Sequence, residues 1–156
     1  MTRDSPRRWA LASGALTVVL LAGTVRAEPG PGRRGATVRA DISGFRSDKG
    51  QVVFGLYKNP DNFLKKVEHA PRRGTAKIKG RRSTVAFKSV PPGVWAIAVF
   101  HDENGNGKLD TNFLGIPKEG WGTSRNARSA VGPPRFKDAK FTVRQGDRTF
   151  KILIKY

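Results

Sequence analysis

Cysteine is missing from this chain altogether, and only two histidines and one methionine are present. Without cysteine there is no disulfide framework, no thiolate nucleophile and no Cys-based metal site. There is also no cysteine to carry an N-terminal lipid. Acidic residues are scarce as well: twelve Asp and Glu stand against thirty Lys and Arg, giving a formal charge of +18. Helical periodicity is nearly absent, so a bundle is excluded. One long apolar run exists, Trp9 to Val25, and it is broken by Ser13 and Gly14.

That run follows a basic start (Arg3, Arg7, Arg8) and ends in Val25-Arg26-Ala27, small residues suited to cleavage before Glu28. The pattern predicts an export signal over residues 1–27 and a periplasmic or secreted destination. A membrane span usually needs about 20 apolar residues, so no span is expected after signal removal. The Arg7-Arg8 pair raises twin-arginine export, but Trp9-Ala10-Leu11 continues it poorly and favours the general secretory route. Residues 28–35 (EPGPGRRG) read as a flexible linker.

The rest, residues 36–156, suits one domain. Removing the signal's four Arg and Asp4 leaves +15. Such a balance points to polyanions as partners. The positive residues are nevertheless spread along the chain and alternate with apolar ones, as in Lys77-Ile78-Lys79. Nucleic-acid binders concentrate charge beside exposed aromatics, so no specific nucleic-acid role is expected. A solvated basic surface is the plainer account.

Period-two patterning dominates. Val38, Ala40 and Ile42 alternate with Arg39 and Asp41, and Gln51 to Tyr57 is β-branched and aromatic. Pro60 to Glu68 fits a short helical turn with Phe63, Leu64 and Val67 inward. Ala76 to Lys79 and Thr84 to Ser89 read as strands about Gly80-Arg81-Arg82. Pro91-Pro92-Gly93 is a turn signal, and Val94 to Phe100 (VWAIAVF) reads as a central strand covered on both faces. Asp110 to Pro134 is a long irregular region. Phe141 to Val143 and Phe150 to Ile154 finish the chain. About seven short strands predict an all-β, antiparallel β-sandwich, with a closed barrel as the alternative.

The candidate chemistry lies after the central strand, in Asp102-Glu103-Asn104-Gly105-Asn106-Gly107-Lys108-Leu109-Asp110. Oxygen-bearing side chains at alternate positions, a turn glycine and a closing carboxylate match the spacing used for Ca²⁺, which takes six to eight oxygens. Asp102, Asn104, Asn106 and Asp110 would supply side-chain oxygens and Lys108 its carbonyl. The position usually held by a closing Glu is Phe113, so Glu119 is the expected replacement, with Glu103 second. A structural Ca²⁺ of weak affinity is the expected cofactor. The competing reading is a turn whose Asx side chains cap their own backbone without any metal.

Other constellations are weaker. His101 and His69 are too far apart in sequence to predict a Zn or Cu site. Ser124, His101 and Asp102 or Asp138 supply the residue types of a hydrolase triad, but Ser124 lacks a G-x-S-x-G elbow. Glu103, Asp110 and Glu119 serve better as cation ligands than as glycosidase carboxylates. No catalytic residue is therefore assigned. Trp121, between Gly120 and Gly122, is a candidate for stacking on a sugar or a partner protein, or a lid over the end of the sandwich. Trp95 belongs to the core.

Three blocks carry a resemblance: Pro92 to Gly107, Phe113 to Gly122, and Pro133 to Ala139. Over them the chain resembles a bacterial exported family known as domain of unknown function 2141 (DUF2141). The resemblance implies an exported β-sandwich of transthyretin-like or immunoglobulin-like outline with no assigned activity. The chain departs from the family at Thr123, where members often carry an aromatic. Apart from the resemblance, the loop face and the basic surface lead to an expected partner that is an unknown cell-envelope protein or an acidic polysaccharide.

Overall fold

The computed structural model describes residues 35–64 and 67–156. The expected export signal, and the linker apart from Gly35, lie outside the described residues.

Among the described residues eight strands form two sheets. They are β1 (Ala36–Ser43), β2 (Gln51–Tyr57), β3 (Arg72–Ala76), β4 (Arg82–Val90), β5 (Gly93–Asp102), β6 (Trp121–Thr123), β7 (Phe141–Val143) and β8 (Arg148–Leu153). One sheet has the order β4-β1-β8, and the other runs β3-β2-β5-β6 with β7 also pairing β5. Pairing is antiparallel except for β1 with β8, which is parallel. The chain is thus a β-sandwich, as the alternation predicts.

The core lies where the inward rows of the two sheets meet. Val38, Ala40 and Ile42 from β1 face Trp95, Ile97 and Val99 from β5, and all are buried. Fully burying a side chain such as Ile97 contributes about 1.5–3 kcal/mol relative to leaving it in water. The opposite face of β5 presents Ala96 and Ala98, which join a second apolar cluster. Those small residues leave room for larger ones: Tyr57 at the end of β2 and Phe63 and Phe136 from the connections stack edge to face, with centroids 5.5 and 5.6 Å apart. β5 is therefore covered on both sides, in keeping with its uninterrupted apolar sequence.

At one side the sheets are joined. Trp121 N–H donates to the Lys155 carbonyl at 2.8 Å and Lys155 N–H returns the bond at 3.0 Å. Glycine makes this approach possible, because a Cβ at Gly120 would lie 2.5 Å from the Ile154 side chain. At the other side, between β3 and β4, Arg72 spans the gap. Its two terminal nitrogens donate to the carbonyls of Lys88 and Ser89, both at 2.9 Å. The barrel alternative is thus met at one seam only.

Three expectations need correction. The strand expected at Ala76–Lys79 sits earlier, at Arg72–Ala76, and Lys79 instead bridges Arg82 across a tight turn. Gly-Trp-Gly was expected as loop, yet Trp121–Thr123 pairs with Phe100, Val99 and Ala98. The helical turn is a 3-10 turn at Val67–His69, and of the three residues expected inward Phe63 is buried while Leu64 and Val67 are half-buried. No helix among the described residues is long and apolar enough to cross a membrane.

Candidate functional site

The acidic loop leaves the sheet at the end of β5, where Gln51 of β2 pairs with Asp102. Gly50 is needed just before that pair: its φ is +72°, and a Cβ there would lie 2.0 Å from the Asp102 carbonyl oxygen. Asp102 itself is fully buried. A buried carboxylate is costly without donors around it, and here four are supplied. Oδ1 accepts the amides of Gly105 (2.8 Å) and Asn106 (3.0 Å). Oδ2 accepts the Gly107 amide (2.9 Å) and the Gln51 side-chain amide (2.8 Å). The loop wraps around the carboxylate, and Gly105 and Gly107, at φ +76° and +75°, permit the wrap.

The asparagines are held the same way. Asn104 Oδ1 accepts the Asn106 amide and Asn106 Oδ1 accepts the Lys108 amide, two successive Asx turns. Their side-chain amides then point at Asp110, Asn104 Nδ2 to Oδ2 at 2.7 Å and Asn106 Nδ2 to Oδ1 at 3.0 Å. Glu119, 4% exposed, receives the Glu103 amide on Oε1 (2.8 Å) and the Asp110 amide on Oε2 (3.0 Å). So Asp102, Asn104, Asn106, Asp110 and Glu119 do come together in one loop. They meet through N–H donors, and Lys108 takes part through its amide. Among the described residues no group of three or more His, Cys, Asp or Glu is placed to hold a metal ion.

His101 points into the sandwich and is fully buried. Its Nε2 lies 2.7 Å from the Lys49 carbonyl, which can only accept, so Nε2 carries the proton. Nδ1 then accepts the Tyr156 hydroxyl at 2.5 Å. Phe45 meets the imidazole edge to face. Glu103 Oε1 forms an ion pair with Arg46 at 2.7 Å and lies 3.6 Å from His101 Nδ1, with no hydrogen bond to either. Burial pushes the Tyr156 phenol up, opposed by the Arg46 amide that donates to it and reinforced by Glu103. The carbonyl that His101 Nε2 meets belongs to the β1–β2 connection. His69 is exposed in its 3-10 turn.

Ser124 is buried and pins two elements: its hydroxyl donates to the Ala139 carbonyl (2.7 Å) and accepts the Ile97 amide (2.9 Å). Asp138 is exposed on the short helix α1 (Phe136–Ala139). The residue types of a triad are therefore present, but Ser124, His101 and Asp102 are each bonded elsewhere. Trp121 is half-buried on β6, and the Arg128 guanidinium lies over its ring at 4.8 Å. Burial lowers the Arg128 pKa.

Reasoning from sequence missed Gln51, the fourth donor to Asp102, and Asn112, which shapes the next turn. A polar residue heading the apolar strand QVVFGLY was the available sign of Gln51.

The family described as "Uncharacterized protein conserved in bacteria (DUF2141)" matches residues 40–151. Among curated proteins none matches. Among solved structures, the pilus-presented adhesin Spy0125 (Cpa) shares 14% identity at a TM-score of 0.24, over 81% of this chain and 27% of that one. That likeness is too slight to carry a fold or a role.

Proposed function

The chain belongs to DUF2141, an uncharacterised family conserved in bacteria, and on that premise we propose that it is a non-catalytic, exported β-sandwich. In this reading the Asp102–Glu119 loop is a rigid platform that meets a partner in the cell envelope. The four hydrogen bonds that saturate Asp102 carry the reading. They close the loop with N–H donors alone, and a carboxylate so engaged is poorly suited to proton transfer. His101, Glu119 and Ser124 are likewise buried and committed to structural partners.

Structural Ca²⁺ is the second reading of the same loop. It is supported by the D-x-N-x-N-G-x-x-D spacing and by the meeting of Asn104 and Asn106 with Asp110. An ion there would require both amides to turn over and give up their Asx turns. Melting the protein in chelator and in millimolar Ca²⁺ separates the readings. A site with Kd of about 10⁻⁴–10⁻³ M would add roughly 1–2 kcal/mol at about 5 mM Ca²⁺, a rise of several degrees. The hydrogen-bonded platform predicts an unmoved midpoint.

Polyanion binding has one specific support. The outer face of the β4-β1-β8 sheet presents Arg39, Arg82, Lys88 and Lys151, all exposed, and of these Arg82 and Lys151 line a recess of about 270 Å³. Its single carboxylate, Asp41, accepts the Thr84 hydroxyl. Retention on heparin that falls with Lys151→Glu would favour that face over Trp121, whose ring Arg128 covers.

A further inference from the structure

Beyond the acidic platform the chain turns back on itself at residues 111–117, where Thr111 and Pro117 form an antiparallel bridge. The tip is apolar and bare: Phe113 is 95% exposed, Leu114 68% and Ile116 56%. Exposed apolar side chains grouped at one place mark contact surfaces. We infer that the Phe113–Ile116 tip is a wedge that enters the interface of an anionic lipid bilayer. The inference rests on the platform reading above, since a wedge needs a fixed base.

Three observations favour lipid over a protein groove. First, three of the tip's four amides are bonded within it. Leu114 and Ile116 amides donate to Asn112 Oδ1 (2.9 and 3.0 Å), the Gly115 amide to the Asn112 carbonyl (3.0 Å), and the Asn112 amide to the Ile116 carbonyl (2.9 Å). Pro117 has no N–H. From Leu114 to Pro117 no donor is left bare, which lowers the cost of leaving water and leaves no donor there for a partner that adds a strand. Second, the tip is convex. A fluid interface can cover three protruding side chains without a preformed pocket.

Third, the exposed charges beside it are lysines, whereas the platform's carboxylates are buried or half-buried. Each carboxylate of the platform has partners: Asp102 and Glu119 accept amides, Asp110 accepts Asn104 and Asn106, and Glu103 lies against Arg46. Lys108 and Lys118 are exposed, and among the described residues neither forms an ion pair. Lys118 flanks the base of the tip, where its amide donates to the Asp110 carbonyl. Apolar side chains ahead of lysines are the pattern that sits at an anionic headgroup layer.

The absence of cysteine makes the test direct. In the full chain, Leu114→Cys and, as a control on the β8 outer face, Thr149→Cys are each spin-labelled. Both are mixed with phosphatidylcholine vesicles, with and without phosphatidylglycerol. Residues 1–34 are identical in every sample, so a change that follows position 113 or 114 belongs to the tip. The expected result is a label at 114 shielded from a water-soluble relaxant only on phosphatidylglycerol vesicles, with the label at 149 unchanged. Phe113→Asp should lower vesicle affinity roughly tenfold or more.

A label at 114 that stays in water, or Phe113→Asp binding like the parent, overturns the inference. So does immobilisation without vesicles that grows with protein concentration, which assigns the tip to a second copy. Melts of the same samples keep the two readings apart. An unmoved midpoint without lipid contact rejects the wedge and leaves the platform standing.

Discussion

Gln51 and Asp102 pair across the β2–β5 ladder, and the Gln51 amide donates to Asp102 Oδ2 at 2.8 Å where the acidic loop departs. This contact ties the loop's anchoring carboxylate to the neighbouring strand. The loop's position is therefore set by the sheet and its shape by the Asp102 oxygens.

Replacing the two partners separates these contributions. Asp102→Ala deprives three loop amides and the Gln51 side chain of their acceptor, and each buried group left unsatisfied costs about 1–3 kcal/mol. Gln51→Ala removes one donor of four and should cost about 1 kcal/mol. Urea denaturation should place the Asp102→Ala midpoint well below that of Gln51→Ala. Equal midpoints would show that the three loop bonds contribute nothing.

Glu119 joins the two ends of the loop through the amides of Glu103 and Asp110. Glu119→Ala should speed hydrogen exchange at both amides while leaving the β1 amides protected. Glu119→Gln, which keeps one acceptor oxygen, should affect one of the two more than the other.

Ser124 bridges Ile97 on the central strand and Ala139 at the end of α1. Ser124→Ala strands a buried amide and a buried carbonyl, with an expected loss of about 1–3 kcal/mol. Thermal melting checks this. A midpoint equal to the parent's would show that the hydroxyl pins nothing.

The chain has two tyrosines, and both hold their protons beyond the ordinary value of about 10. Burial, reinforced by Glu68, pushes Tyr57 up to about 12, and Tyr156 is raised chiefly by burial. Between these values the folded chain keeps a proton that the unfolded chain releases. Their contribution to stability is thus complete below about pH 10 and is lost as pH rises through the folded pKa. Phenolate absorbance should appear late, together with unfolding. Ionisation of both tyrosines near 10 in a folded chain would contradict the burial account.

Much of this fold is legible in the residues. Val94 to Phe100 reads as a doubly covered strand because both of its faces are apolar, and β1 because Val38, Ala40 and Ile42 alternate with polar residues. β3 is not legible in this way: Arg72-Arg73-Gly74-Thr75-Ala76 is an edge strand with little to bury, and its pairing rests on backbone bonds and the Arg72 bridge. β6 escapes for a different reason. Gly120 and Gly122 look like loop residues, yet they serve close contact with Ile154 and Ile152, which is visible only once β8 is in place. The oxygen spacing of the acidic loop is equally plain in sequence. What fills those oxygens is not, because the donors are backbone amides and a glutamine about fifty positions earlier.

The central claim is that Asp102 closes the loop through N–H donors. Amide exchange followed by NMR, in chelator, at Gly105, Asn106 and Gly107 tests it most directly. Protection at all three, unchanged by millimolar Ca²⁺ and lost in Asp102→Ala, is the predicted result. Rapid exchange in chelator that becomes slow only when Ca²⁺ is added would contradict it.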